Sequence, residues 1–307
     1  MNLQQLEYIV AVNKHRQFVT AAEQCGITQP TLSTMIQKLE TELGVTIFDR
    51  SRHPIEPTSV GKRVIHQAEA TLREMRRISE LVLTETNSLS GVLKIGVIPT
   101  LAPYLIPEFI HRFRKQYAEV ELSISEMRTA SLIEALRKDE LEMFIAATPL
   151  EQPDFLEIPL YYEKFVAYFA PDNPLRDTRL SANKMPGDNL WVLQEGHCVR
   201  EQIFNFCHTQ TSYNHTYEAG SIETLIRIVE KNGGYSVIPE LHLGFLSAEQ
   251  RENVRSISCP PAVREISLVI KRDFIKERLI NAVADTIKKI MPENMLDERL
   301  KKFSIRL

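Results

Sequence analysis

The chain has 307 residues, 43% of them hydrophobic and 25% charged, with 11 Gly and 16 Pro; this soluble globular balance excludes a disordered or collagen-like protein. It is about twice the length of a typical domain, so two or more compact units are expected. The formal charge of -3 excludes a generally polycationic chain but leaves room for a local positive face. The four cysteines, Cys25, Cys198, Cys207 and Cys259, are too few for a disulfide scaffold. No apolar run is long enough to cross a membrane, and Met1-Asn2-Leu3-Gln4-Gln5 has neither the basic nor the apolar segment of a secretory leader. A cytoplasmic location with no membrane partner is therefore expected.

Residues 1–58 carry three short helical patterns and a basic tail, the layout of a small DNA-binding unit. Leu3, Leu6, Ile9 and Val10 recur at helical spacing. The second pattern, Val19 to Gln24, contains the small pair Ala21-Ala22 and stops at Cys25-Gly26. Thr28 is placed to cap a third helix, with Pro30 in its first turn, where a missing N–H costs nothing. Leu32, Ile36, Leu39 and Leu43 fall on one face of that helix, which turns Gln29, Thr31, Ser33, Thr34, Gln37 and Lys38 outward. Two short strand-type stretches follow around a basic turn, with Arg50 and Arg52 placed to meet phosphates as a wing. Residues 1–88 hold ten Lys/Arg and ten Asp/Glu, so a positive face must come from arrangement rather than excess.

From Ser59 to about Asn87, Ile65, Ala68, Leu72, Met75 and Val82 follow a heptad pattern, with Ser79 the polar lapse. A helix of that length is roughly 43 Å long, and its single apolar stripe is expected to pair with the same helix of a second chain. Residues 59–90 are thus read as a linker and dimerisation helix ending in a hinge. From Val92, strand-like runs alternate with helical ones, as in a parallel α/β sheet. Strands are expected at 93–98, 120–126, 141–146, 165–169, 190–193, 235–238 and 266–270. Helices are expected at 101–116, 130–138, 198–209, 221–231 and 275–290.

The nucleotide-loop, nucleophile-elbow, HExxH and paired CxxC signatures are all missing; neither catalysis, a metal nor a cofactor is expected. One segment stands out, Glu195-Gly196-His197-Cys198-Val199-Arg200-Glu201-Gln202. Cys198 is placed at a helix N-terminus beside His197 and Arg200, and helix-end amides and nearby cations favour thiolate, the form that attacks a peroxide. Cys207, within the same helical run, is a second thiol able to capture a sulfenic acid.

Residues 1–88 resemble the winged helix-turn-helix and linker helix of LysR-type transcriptional regulators. The resemblance is carried by Ala21-Ala22, by Gln29-Pro30-Thr31-Leu32-Ser33 and by Lys38 to Gly44, and it extends over the whole chain. Within that family, His197-Cys198-x-Arg200-x-Gln202 followed by Cys207 resembles the redox segment of OxyR-type hydrogen-peroxide sensors. The resemblance implies that peroxide oxidises Cys198 and that Cys207 resolves it into an intramolecular disulfide. It also implies a tetramer that changes its contacts with double-stranded promoter DNA to activate antioxidant genes, RNA polymerase as partner, and reset by a cellular thiol reductant. The expected fold is an N-terminal, largely α-helical winged helix-turn-helix, a long linker helix, and an α/β effector domain of two periplasmic-binding-protein-like subdomains. These subdomains cover about 91–162 with 267–307, and about 163–266, the chain crossing near Glu163 and back near Arg264. Thr100 and Thr129 match positions that bind peroxide; either Thr also serves as a plain helix cap.

Cys25 and Cys259 read as small buried hydrophobes, and His208 and His215 as solvated side chains. Two other functions stay open: a LysR-type regulator answering a small organic effector, with incidental cysteines, and a thiol-dependent peroxidase. If residues 198–209 form one helix, Cys198 and Cys207 lie roughly 13 Å apart along it and on opposite faces. A disulfide needs Cα atoms about 4.4 to 6.8 Å apart, so that helix must unwind before the bond forms.

Overall fold

The structure is a computed structural model that describes residues 1–51, 54–85, 89–177, 180–181, 189–196, 198–207, 219–258, 260–272, 274 and 276–304. The chain divides into two compact units, Met1–Ser88 and Leu89–Leu307. His197, Arg52, Cys259, His208, His215 and the hinge at 86–88 lie outside the described residues.

In the first unit α1 (Leu3–His15) is opened by a reciprocal cap, in which Asn2 and Gln5 each accept the other's backbone N–H at 2.9 Å. Helix α2 (Phe18–Gln24) buries Ala21 and Ala22, and α3 (Gln29–Leu43) ends at Gly44 in the left-handed region. Leu32, Ile36 and Leu39 are fully buried, but Leu43, expected on the same face, is 38% exposed at the helix end. Thr28 stands at the N-cap position, yet its hydroxyl meets the Thr31 hydroxyl at 2.8 Å rather than a backbone amide. The wing is an antiparallel pair, β1 (Phe48–Asp49) with β2 (Glu56–Pro57).

Helix α4 (Ser59–Glu85) is the expected long helix, but the first half of its stripe has another partner. Ile65, Ala68 and Leu72 are buried in the same core as Leu6, Ile9, Ile36 and Phe48. They complete their own head unit, because α1 offers an apolar face that α2 and α3 alone leave uncovered.

The second unit starts with β3 (Gly91–Val97), α5 (Ala102–Gln116), β4 (Val120–Glu126), α6 (Thr129–Arg137) and β5 (Met143–Thr148). There follow β6 (Phe155–Phe169), β7 (Leu190–Trp191), α7 (Cys198–Cys207), α8 (Ile222–Asn232) and β8 (Tyr235–Pro239). A 3-10 helix (Glu240–Phe245), α9 (Ala248–Arg251), β9 (Val254–Ser256), β10 (Val263–Lys271) and α10 (Glu277–Ile290) complete it.

The strands run in the order β4-β3-β5-β10-β6-β8-β7, with β9 on β6. The sheet is mixed, not parallel as expected. β3 lies parallel to β4 and β5, and β7 to β8, but β10 is antiparallel to both β5 and β6. The reason is the length of β6 and β10. Each runs through both halves of the sheet, and a chain that crosses once and returns makes an antiparallel ribbon. The first half of β6 escapes sequence reading because Pro159 and the charges of Glu157, Glu163 and Lys164 interrupt its apolar run; the register shifts opposite Pro159, between Ile266 and Ser267, as suits a residue with no N–H to donate.

Gly61 marks the tightest approach in the head. A Cβ there would lie 2.0 Å from the Ile47 carbonyl oxygen, which already accepts the Thr58 N–H at 2.9 Å. Gly61→Ala is expected to destabilise the head by about 1 to 3 kcal/mol, the usual cost of overpacking, and thermal unfolding of the variant measures it.

Candidate functional site

Two surfaces draw together the residues singled out by sequence. On α3, Gln29, Pro30, Thr31, Thr34, Gln37 and Lys38 are exposed and Ser33 is half-buried. Part of this polar face is held in place internally. The Thr34 hydroxyl donates to the Pro30 carbonyl at 2.8 Å, and Ser33 accepts from Arg50 at 3.2 Å. Arg50 is therefore not a simple phosphate hook. It also pairs with Glu40 at 3.1 Å and lies over the Phe18 ring, 5.2 Å from its centre. Glu40 in turn accepts the Ile47 and Phe48 amides at 2.7 and 3.2 Å, so Arg50 ties the wing to the recognition helix.

The second site is the pocket of Cys198. This residue begins α7 and is 5% exposed. Burial pushes its thiol above the ordinary thiol range. Arg264, a hydrogen bond from Thr100 and the backbone amides of Val199 and Ala147 pull the other way. The structure thus departs from the expectation of an open, thiolate-favouring helix end, because the desolvation of a sealed pocket outweighs the helix end.

Among the described residues the cation acting on the sulfur is Arg264, which the sequence did not single out; His197 lies outside them. Arg200 donates from Nη1 to the Leu193 carbonyl at 3.3 Å, while Arg264, fully buried, faces the pocket. Its Nε and Nη2 donate to Glu163 Oε2 at 2.9 and 2.7 Å, and Nη1 donates to Thr100 Oγ1 at 3.1 Å. Nη2 also reaches the Tyr104 hydroxyl at 2.6 Å and the Thr100 carbonyl at 3.3 Å; Tyr104 itself donates to that carbonyl. A guanidinium can only donate, so Thr100 Oγ1 must accept from Arg264, and its own hydrogen is left to point at Cys198. Burial works to lower the Arg264 pKa, but Glu163, Tyr104, Cys198 and Tyr161 outweigh it and hold the guanidinium charged.

Thr100 therefore lies beside Cys198. Thr129 is not joined to it by a hydrogen bond among the described residues: it is the first residue of α6, and its buried hydroxyl has no partner there. Gly196, at φ 90°, lets the Arg128 stem lie against the loop before Cys198, where a Cβ would come within 3.1 Å of Arg128 Cδ. Cys207 closes α7 at its far end; its side chain lies outside the described residues. Cys25 is half-buried, not the fully buried hydrophobe expected, and burial with Glu7 raises its thiol. Sequence reasoning missed Glu163, Arg264 and Tyr104 as site residues. For the first two a signal existed: each belongs to a pair of adjacent charges, Glu163-Lys164 and Arg264-Glu265, within a largely apolar strand run.

Residues 3–62 match the family model described as bacterial regulatory helix-turn-helix protein, lysR family, and residues 86–292 match the LysR substrate binding domain. The chain belongs to the LysR family, in its OxyR subfamily. It is 33% identical over 299 residues to a hydrogen peroxide-inducible genes activator of Haemophilus influenzae, covering 95% of this chain and 99% of that one. It is 34% identical over 275 residues to the DNA-binding transcriptional dual regulator OxyR of Escherichia coli K12, covering 88% and 90%. Among solved structures, a full-length OxyR variant from Pseudomonas aeruginosa has 34% identity and a TM-score of 0.73, covering 94% of this chain and 98% of its own. The winged helix-turn-helix and two-part effector fold of this family accord with the two units described above. No helix among the described residues is long and apolar enough to cross a membrane.

The pocket sets a sign for pH dependence. A thiol raised in the folded state favours its protonated form, so the stability this contributes is full below the unfolded thiol value of about 8.5 and is lost as pH rises through the folded value. Alkylation of Cys198 by a neutral reagent should keep accelerating with pH beyond the range in which a free thiol levels off. Thr100→Val, which removes the hydrogen bond to sulfur but keeps the shape, should lower the thiolate fraction by about tenfold; the pH profile of alkylation reads both effects.

Proposed function

We propose that this protein is a peroxide-responsive, DNA-binding transcriptional activator switched by a thiol–disulfide change. The observation that carries the reading is the pocket in which Cys198, sealed from solvent at the start of α7, meets the Thr100 hydroxyl that Arg264 polarises. A peroxide is small enough to enter such a pocket where a bulky electrophile is excluded. The protonated resting thiol suits a sensor that stays silent until its signal arrives.

In the first step the Cys198 sulfur, as thiolate, attacks one peroxide oxygen. An S–O bond forms, the O–O bond breaks, and the departing hydroxide takes a proton to become water; Cys198 is oxidised to sulfenic acid and peroxide is reduced. Thr100 and the field of Arg264 offset part of the charge on sulfur before attack. In the second step the Cys207 thiolate attacks the Cys198 sulfur, the S–S bond forms and the S–O bond breaks, and the leaving hydroxide is protonated to water. A thiol reductant returns both cysteines to the starting state.

The two cysteines stand at opposite ends of one ten-residue helix, roughly 13 Å apart along its axis. Disulfide geometry is out of reach until α7 unwinds, and this two-state segment is how oxidation alters the effector unit and its assembly. DNA is read by Gln29, Thr31, Ser33, Thr34, Gln37 and Lys38 on α3, with Pro30 setting the helix start and Arg50 and Arg52 at the wing. The protein acts in the cytoplasm as a dimer of dimers, with the distal half of α4 as the pairing element and RNA polymerase as the recipient of the signal.

With Cys207→Ser, stoichiometric peroxide followed by a sulfenic-acid reagent should label Cys198 and leave Cys25 and Cys259 unlabelled; equal labelling of all three removes the case for a dedicated sensor. In the unsubstituted chain, hydrogen exchange across residues 198–207 should rise sharply once the disulfide forms. At the DNA face, Gln29→Ala or Thr31→Ala should reduce discrimination between operator and unrelated DNA by about 1 to 3 kcal/mol per lost base contact. Arg50→Ala should weaken binding to all sequences, and gel-shift titrations at several salt concentrations separate the two behaviours.

A further inference from the structure

The Cys198 pocket contains a cation whose charge is already balanced. Arg264 and Glu163 are both fully buried, and Glu163 Oε2 takes two of the five guanidinium donors, at 2.9 and 2.7 Å. Glu163 is fixed from the other side by the Leu241 N–H, which donates to Oε1 at 2.9 Å. Arg264 acts on Cys198 by its charge and through one bond, from Nη1 to Thr100. The other ionisable groups around this pair are Tyr104 from α5, Tyr161 from β6 and Glu240 from the 3-10 helix. Among the described residues none of them brings a second positive charge. Arg264 and Glu163 cancel each other and Glu240 adds negative charge, so a thiolate at Cys198 meets no unshared cation among these groups, which is costly away from water.

We propose that Glu163 is a positioning residue that sets the reactivity of the Cys198 thiol by holding the charge of Arg264 away from the sulfur. The proposal rests on Cys198 being the reacting thiol. Glu163 exchanges no atom or electron with peroxide; it governs how often the thiolate exists to attack. Without its carboxylate, Arg264 loses the anion hydrogen-bonded to it, and ionisation of Cys198 then offsets a buried cation.

The test uses the full chain carrying Glu163→Gln, which keeps the side-chain shape and removes the charge. The pH profile of Cys198 alkylation and the ultraviolet thiolate absorbance should show a rise of at least about tenfold in thiolate at neutral pH, a displacement of one pH unit. Glu163→Asp keeps the charge and should return the profile to within about threefold of the unsubstituted chain, whereas mere loosening of the fold would move both variants alike. A folded Glu163→Gln protein with an unchanged profile overturns the proposal. If Glu163→Gln does not fold, adding Cys198→Asp supplies a new carboxylate for Arg264 and should recover the fold, as read by circular dichroism; failure of that rescue also overturns it. Alkylation involves no peroxide. A shifted profile in a protein that forms no sulfenic acid with peroxide would leave Glu163 in control of the thiol and would remove the peroxide reading instead.

Discussion

One guanidinium organises the second unit. Arg264 on β10 stands directly across from Glu163 on β6, the two strands that carry the chain between the halves of the sheet. Taking both charges from water costs several kcal/mol per ion, and such a pair survives only when the remaining donors are also satisfied. Here Arg264 also holds the Thr100 hydroxyl and carbonyl and the Tyr104 hydroxyl, while Glu163 holds the start of the 3-10 helix through Leu241. Four segments distant in sequence thereby meet at one side chain, and Cys198 lies within its field. Loss of either charge leaves the other buried and alone, at about 3 to 5 kcal/mol.

The opposite face of the same ribbon carries a second polar cluster, because successive strand residues alternate sides. Glu265, next to Arg264, accepts from Thr148 Oγ1 at 2.9 Å, and Thr148 shares a hydrogen bond of 2.7 Å with Ser267. Burial and then Glu265 push the Tyr162 hydroxyl up to about 12. The crossing strands are thus pinned on both faces by hydrogen bonds that demand one register. A ribbon held this way resists sliding.

The head shows a similar economy. Helix α4 supplies Ile65, Ala68 and Leu72 to the core beneath α1, so the element read from sequence as a linker is also structural to the DNA-binding unit. The Arg50–Glu40–Ser33 network then ties the wing to α3.

The local layout was legible in the residues themselves. The three head helices, the wing, the long helix and most strands follow from apolar spacing and turn residues, and strand β4 (Val120–Glu126) matches its expected bounds. The motif around Cys198 pointed to redox chemistry for the same reason: the residues that define it are neighbours in the chain. What only the tertiary structure decided depends on residues far apart. The antiparallel course of β6 and β10, the burial that raises the Cys198 thiol, and the placing of Arg264 to act on it all arise from strand pairing across about a hundred residues, a separation of 101 for the Arg264–Glu163 bond. Periodicity in a single chain reports which face of an element is apolar, but not which distant element will cover it; an Arg and a Glu in two largely apolar strands become an ion pair only when the sheet aligns them.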